Sequence, residues 1–178
     1  MDVDTSFPYE DQVRVTVTST EGMPLYLRIP GWATNATVNG AATTNGTMFK
    51  IDCKAGATKV VLDLNPEVRL ETWFNGAKSV HRGALLYSLP LQADYKVLAH
   101  HFGDADMSND YAATTSAKWN MALDADEANP SSTLGFASTG YVTGSAPFNH
   151  SNWPSHISAS VREVLSSVTL NPNLNPKP

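Results

Sequence analysis

The feature that most constrains the fold is a strict alternation of apolar and polar residues in the first half of the chain. Over Gln12–Thr18 the sequence QVRVTVT places three valines on one side of an extended segment and Arg14 with two threonines on the other. This period of two is typical of a β-strand with one buried face. Leu25–Ile29 repeats the pattern and ends at Pro30-Gly31, which interrupts a regular strand.

Further short apolar segments follow at near-regular spacing, with Gly, Pro and Asn between them. Strands are predicted over Thr47–Ile51, Thr58–Leu64, Val68–Trp73 and Ser79–Leu89. Asn39-Gly40 and Asn75-Gly76 predict hairpin turns, because such turns need the positive φ that Asn and Gly tolerate. The sequence therefore predicts an all-β fold, an antiparallel β-sandwich of immunoglobulin or jelly-roll type.

The second half is less regular. Leu91–Phe102 is compatible with a short helix or a strand, and Gly103–Thr115 is predicted to be a loop. The remaining predicted strands are Trp119–Leu123, Ile157–Val164 and Val168–Leu170. We predict a β-sandwich domain over residues 1–97, a second, smaller β region over 98–170 and a Pro/Asn-rich tail over 171–178.

The charge distribution excludes several classes of partner. The net charge of -5 lies entirely between Asp94 and Glu127, a segment with seven acidic and two basic residues. The other residues of the chain include ten acidic and ten basic side chains and are neutral in sum. An acidic chain of this kind is not expected to bind nucleic acid or an anionic membrane. No apolar run is long enough to span a bilayer, and the first residues do not resemble a signal peptide, so localisation is left open.

No cofactor or metal site is predicted. Cys53 is the single cysteine, which excludes an intrachain disulfide and a multi-thiolate zinc site. No glycine lies in a phosphate loop, a dinucleotide fingerprint or a nucleophile elbow. Asp104–Asp110 has acids at the first and third positions of a calcium loop. It lacks the glycine at the sixth position and has Thr115 at the twelfth, so a solvated acidic loop is expected.

The order of several short motifs resembles a known family. FPYED at Phe7–Asp11 precedes LYLRIPGWA at Leu25–Ala33, VNG at Val38–Gly40, HRGALLYSL at His81–Leu89 and TTSAKWNMALD at Thr114–Asp124. This order is similar to the region after the catalytic barrel in glycoside hydrolase family 127, the β-L-arabinofuranosidase-like hydrolases. Ala84 and Ala117 stand where that family usually has proline.

The resemblance implies a non-catalytic part of a larger architecture. In the family a helical barrel carries catalysis, with a cysteine nucleophile, glutamates and a zinc-binding cysteine cluster, and β-sandwich domains follow it. Nothing in this sequence matches the barrel or its cysteine cluster. No catalytic residue is therefore carried over to this chain, and the chain alone is predicted to be inactive.

Individual candidates for chemistry favour structural roles. Cys53 lacks a partner thiol and is interpreted as a small, half-buried strand residue. Adjacent His100 and His101 would point to opposite faces of a strand and so could not chelate one metal ion. Of the neighbouring carboxylates Glu10 and Asp11, one is expected to accept backbone N–H groups at a sheet edge.

The four tryptophans are the remaining candidates for binding. Sugars stack their C–H faces on flat aromatic rings, so an exposed indole on a sandwich can bind a glycan. Trp32 and Trp119 are expected in the core. Trp73 alternates with polar residues and Trp153 lies in a polar loop, so these two are the predicted carbohydrate-binding residues.

Three functions are compatible with these observations. The first is an accessory β-sandwich that packs against and orients a helical catalytic barrel absent from this chain. The second is a free-standing carbohydrate-binding module, with plant-type glycans as the candidate ligands. The third is an adhesion or interaction sandwich with no role in sugar binding.

Overall fold

The computed structural model describes residues 1–102, 109–139 and 153–164. Every strand pairing within these ranges is antiparallel, and the helical elements there are two 3-10 turns at Phe74–Gly76 and Pro130–Ser132. The predicted all-β sandwich class is confirmed. Within the described ranges, the chain has no helix of the length and apolarity required to cross a membrane.

The chain divides into two compact units. The first comprises Met1–Ser88 and Ala125–Ala159, and the second comprises Leu89–Asp124 and Ser160–Pro178. The predicted domain boundaries at residues 97 and 170 remain predictions. The predicted strand over Val168–Leu170 and the predicted tail over 171–178 lie outside the described residues.

The first unit contains a sandwich of two sheets. Its strands are β1 (Asp2–Thr5), β2 (Gln12–Ser19), β3 (Met23–Arg28), β4 (Thr37–Val38), β5 (Ala41–Ala42), β6 (Met48–Cys53) and β7 (Gly56–Asp63). One sheet has the order β1-β2-β7-β4-β5, and the other pairs β3 with β6. The predicted turn at Asn39-Gly40 joins β4 to β5, with both residues at positive φ. The strand that alternation predicts over Gln12–Thr18 is confirmed as β2, and its buried valines face the second sheet.

The core lies between these two sheets. Val15 and Val17 of β2 and Val60 and Leu62 of β7 are buried against side chains of β3 and β6. Ile29, directly after β3, is fully buried. Removing this much apolar surface from water supplies the main driving force for folding of the unit.

A three-stranded sheet follows in the order β10-β9-β8. Its strands are β8 (Val68–Thr72), β9 (Lys78–Arg82) and β10 (Leu85–Tyr87). Asn75 and Gly76, both at positive φ, turn β8 into β9 as the sequence predicts. The prediction of one strand over Ser79–Leu89 is wrong, because Gly83, at φ +58°, turns the chain back after Arg82 and creates a second hairpin.

The first unit also contains β14 (Leu134–Ser138), a strand that the sequence does not predict. It pairs with Ser155–Ala159, the first part of β15 (Ser155–Glu163). β1 was missed as well, and all four of its residues are exposed. Both strands lack the long alternation that predicts the others, because β1 buries no face and β14 buries only Leu134.

The second unit is built from β11 (Asp94–His100), β12 (Asn109–Thr114) and β13 (Met121–Asp124). β11 pairs with β12, and β13 pairs with Ser160–Glu163 of β15. Leu91–Phe102 is thus mainly a strand. The predicted loop over Gly103–Thr115 is wrong for Asn109–Thr114, where β11 supplies the hydrogen bonds that an exposed polar segment needs in order to form a strand.

Replacing Gly83 by alanine should destabilise the first unit. A Cβ at Gly83 would lie 3.2 Å from Cβ of Pro66 and 3.5 Å from the Trp32 ring, and φ +58° disfavours any L side chain. We expect the free energy of unfolding to fall by about 1–3 kcal/mol, measured by denaturant unfolding.

Gly31→Ala is the matched control. Gly31 is not at positive φ, and a Cβ there would meet no atom within 4 Å. Its effect should be within about 0.5 kcal/mol. Equal destabilisation by the two substitutions would contradict the proposed steric and conformational cause at Gly83.

Candidate functional site

An ion pair joins the first family-like motif to the fourth. The two terminal nitrogens of Arg82 donate to the two carboxylate oxygens of Asp11 at 3.0 and 2.7 Å. The Arg82 side chain is only 14% exposed, and its Cζ lies 3.8 Å from the ring centroid of Phe136. The Asp11 carboxylate was a candidate to accept backbone N–H groups. It instead accepts from the Arg82 guanidinium, whose two terminal nitrogens match its two oxygens.

An aromatic contact joins the first motif to the second. The rings of Phe7 and Trp32 are stacked, with centroids 6.3 Å apart and an interplanar angle of 4°. Trp32 packs partly buried against the core, as predicted, and its ring also lies beside Gly83 of the fourth motif. Three motifs that are far apart in sequence are thus in contact in the folded chain, and the residues that join them stabilise the fold.

A different set of polar side chains lies on one face of the β8-β9-β10 sheet. The strand register sets Arg69 opposite His81 and Glu71 opposite Ser79. Arg69 Nη2 donates to Glu71 Oε1 at 2.9 Å, and His81 Nε2 lies 3.4 Å from Glu71 Oε2. We call Arg69, Glu71, Ser79 and His81 the polar ladder.

Trp73 is attached to one end of the polar ladder. Its indole Nε1 donates to Ser79 Oγ at 2.6 Å, and Ser79 Oγ lies 2.9 Å from His81 Nε2. The Trp73 residue is nevertheless 61% exposed. The sequence correctly predicts the polar surroundings of this indole, and the hydrogen bond that fixes the ring appears only in the folded chain.

The ladder contains a serine, a histidine and a carboxylate, yet it lacks the geometry of a catalytic triad. A triad needs the hydroxyl on one imidazole nitrogen and the carboxylate on the other. Here both Ser79 Oγ and Glu71 Oε2 approach the same Nε2 of His81. No described carboxylate contacts Nδ1, so the arrangement lacks the partner that orients a triad histidine toward its serine.

Residues 1–63 match the family described as Beta-L-arabinofuranosidase, GH127 middle domain. The N-terminal 63 residues are a GH127 middle-domain-like region. No match was found among curated proteins or among solved structures. The match indicates a non-catalytic domain of a glycoside hydrolase. The further resemblance in His81–Leu89 and Thr114–Asp124 lies outside the matched residues.

The GH127-like region contains Cys53 and the two neighbouring carboxylates. Cys53 ends β6 and is buried to 3% exposure in the core, more deeply than the half-buried position predicted. Glu10 is exposed, whereas Asp11 is held by Arg82. These positions provide neither an accessible thiol nor a pair of carboxylates facing a common cleft.

The other two tryptophan predictions have different outcomes. Trp153 is 48% exposed, and no described contact joins it to Trp73. Trp119 is 69% exposed, so its predicted core position is wrong. Trp119 precedes β13 and does not lie in that strand. No described residue of the second unit is buried, so these residues offer no core in which the indole could pack.

The histidine pair and the acidic loop form no described metal site. His100 Nδ1 contacts Asn109 Oδ1, and His101 Nε2 lies 2.8 Å from Asp110 Oδ2, so the two imidazoles have separate partners. Asp104 and Asp106 lie outside the described residues. Within the described ranges no group of three metal-ligating side chains converges.

Substituting Asp11 by asparagine should destabilise the fold. The change removes the charge that both Arg82 nitrogens contact and leaves a largely buried guanidinium without its carboxylate. We expect a loss of about 1.5–3 kcal/mol in the free energy of unfolding, measured by chemical denaturation.

Glu10→Gln provides the control, since it makes the same chemical change at the exposed neighbouring residue. It should leave the free energy of unfolding nearly unchanged. If Asp11→Asn were as mild as Glu10→Gln, the ion pair would not contribute to stability as argued.

Proposed function

We propose that this chain is an accessory β-sandwich region of a glycoside hydrolase that packs against and orients a helical catalytic barrel. The observation that carries the proposal is the match of residues 1–63 to a GH127 middle domain. A domain described as the middle one works beside other parts of its enzyme. The buried Cys53 and the guanidinium-bound Asp11 support a structural role for the residues that first suggested chemistry.

The hairpin formed by β11 and β12 supports a role in contact with another protein body. Its exposed apolar side chains include Tyr95, Leu98 and Tyr111, and no residue of either strand is buried. A two-stranded hairpin is at best marginally stable alone, and exposed apolar side chains in mutual contact, here the rings of Tyr95 and Tyr111, are typical of interaction surfaces. We propose this hairpin as the surface that meets the barrel.

The charge of the sequence segment that contains this hairpin adds a second expectation. The segment from Asp94 to Glu127 carries the whole net charge of -5. A barrel surface that meets it should present compensating basic residues, because complementary potentials steer association and prevent like-charge repulsion. The association should accordingly weaken as salt is raised.

The isolated chain should release no sugar from an aryl β-L-arabinofuranoside. The assay contains reductant and added zinc, so that neither thiol oxidation nor metal depletion explains inactivity. Cys53→Ala is run in parallel. Turnover by the chain that disappears in Cys53→Ala would overturn the accessory assignment.

Association is tested with the helical barrel of a β-L-arabinofuranosidase-type hydrolase expressed without its middle domain. Saturable binding in calorimetry is expected, and Tyr95→Ser with Leu98→Ser should weaken it by about tenfold or more, because apolar contact area is lost. Raising salt from low to physiological concentration should weaken it further.

Tyr26→Ser with Met48→Ser is the matched double variant. It removes a tyrosine and a long apolar side chain that are also exposed, on the outer face of the β3-β6 sheet. This variant should bind the barrel like the original chain. Equal loss in both double variants would refute the hairpin as the docking surface, and no binding by the original chain would refute packing against the barrel.

A further inference from the structure

We propose that Trp73 and the polar ladder form a binding platform for a neutral glycan. The indole would stack on the C–H face of one sugar residue, and Glu71 with Ser79 would bind its hydroxyl groups. This site does not depend on a barrel, and it lies outside the GH127-like region. It therefore adds a ligand-binding role to the structural role proposed above.

The Trp73 ring is held ready for stacking. Its backbone N–H donates to the Ala77 carbonyl at 2.7 Å, and its own carbonyl accepts from Gly76 N–H at 3.2 Å. The indole N–H is fixed by Ser79 Oγ. Two hydrogen bonds thus fix the backbone of Trp73, and a third fixes the side chain of a residue that is still 61% exposed. A ligand that stacks on it loses little additional side-chain entropy, which favours affinity.

Polar atoms beside the ring suit sugar hydroxyl groups. The Glu71 carboxylate has about four acceptor sites, of which Arg69 occupies one and His81 approaches another. Arg69 is itself fixed by a second bond, from Nη1 to the Gly83 carbonyl at 2.8 Å. The carboxylate is therefore oriented by its neighbours and keeps acceptor capacity for hydroxyl donors.

The charges on this face favour a glycan over an apolar protein surface. Arg69 and Glu71 are partly exposed, and an apolar partner would strip them of water without replacing those hydrogen bonds. A sugar presents an apolar C–H face to the indole and hydroxyl groups to the carboxylate. Because the Arg69–Glu71 pair is neutral in sum, a neutral sugar is favoured over a charged ligand.

The test is calorimetric titration of the full chain with arabinan-derived oligosaccharides up to millimolar concentration. Cello-oligosaccharides and choline are titrated in parallel, to separate arabinose recognition from general stacking and from cation–π binding. We expect saturable binding of at least one oligosaccharide with a change in tryptophan fluorescence. Trp73→Ala should weaken this binding by about tenfold or more.

Three further variants keep the result interpretable. Ser79→Ala releases the indole but keeps the ring, so it should weaken binding by a smaller factor than Trp73→Ala. Trp119→Ala removes an indole of a residue that is 69% exposed, compared with 61% for Trp73, and that lies outside the polar ladder, so it should leave the affinity unchanged. Trp153→Ala tests the second indole predicted from the sequence. Thermal melting confirms that each variant is folded.

Several outcomes would overturn the proposal. These are no heat with any oligosaccharide at millimolar concentration, full affinity in folded Trp73→Ala, an equal loss in Trp119→Ala, and binding of choline alone. Loss of sugar binding would leave barrel association intact, and loss of barrel association would leave sugar binding intact. The two proposals therefore fail separately.

Discussion

The Arg82 guanidinium, bound by the Asp11 carboxylate and lying over the Phe136 ring, is the polar interaction that holds three separate segments of the first unit together. It links residues 71 positions apart in the chain, and Phe136 adds a contact from a still later segment. One residue further, Gly83 reverses the chain beside Trp32, which stacks on Phe7. Motifs that are weak individually in sequence are therefore parts of a single packing arrangement in the fold.

Sequence predicts the fold well wherever one face of a strand is buried. β2, β3 and β7 are predicted by the alternation of apolar and polar residues. Asn39-Gly40 predicts the turn between β4 and β5 because few residues other than Asn and Gly tolerate positive φ. β1 and β12 were missed because exposed strands show no such pattern. The prediction of one strand over Ser79–Leu89 is wrong because a lone glycine does not identify a turn, and only the positive φ of Gly83 and its contact with Trp32 and Pro66 show why glycine is needed there.

The candidate site was predictable only in part. Alternation with Arg69 and Glu71 correctly places Trp73 beside polar residues. The polar ladder itself depends on the register of β8 with β9. A two-residue turn at Asn75-Gly76 would set Glu71 opposite Val80, whereas the longer turn over Phe74–Gly76 sets it opposite Ser79. The prediction for Trp119 is wrong for a different reason. It depends on a strand that begins at Trp119, whereas β13 begins two residues later, at Met121.

The absence of buried residues in the β11–β12 hairpin has a consequence for amide hydrogen exchange. Protection of backbone amides follows the free energy of the opening that exposes them, and openings with little apolar burial cost least. Amides of β11 and β12 should therefore exchange through local opening, whereas those of β2 and β7, which carry the buried valines of the core, should exchange only when the sandwich unfolds as a whole. Binding of another protein to the hairpin would slow the exchange of these amides.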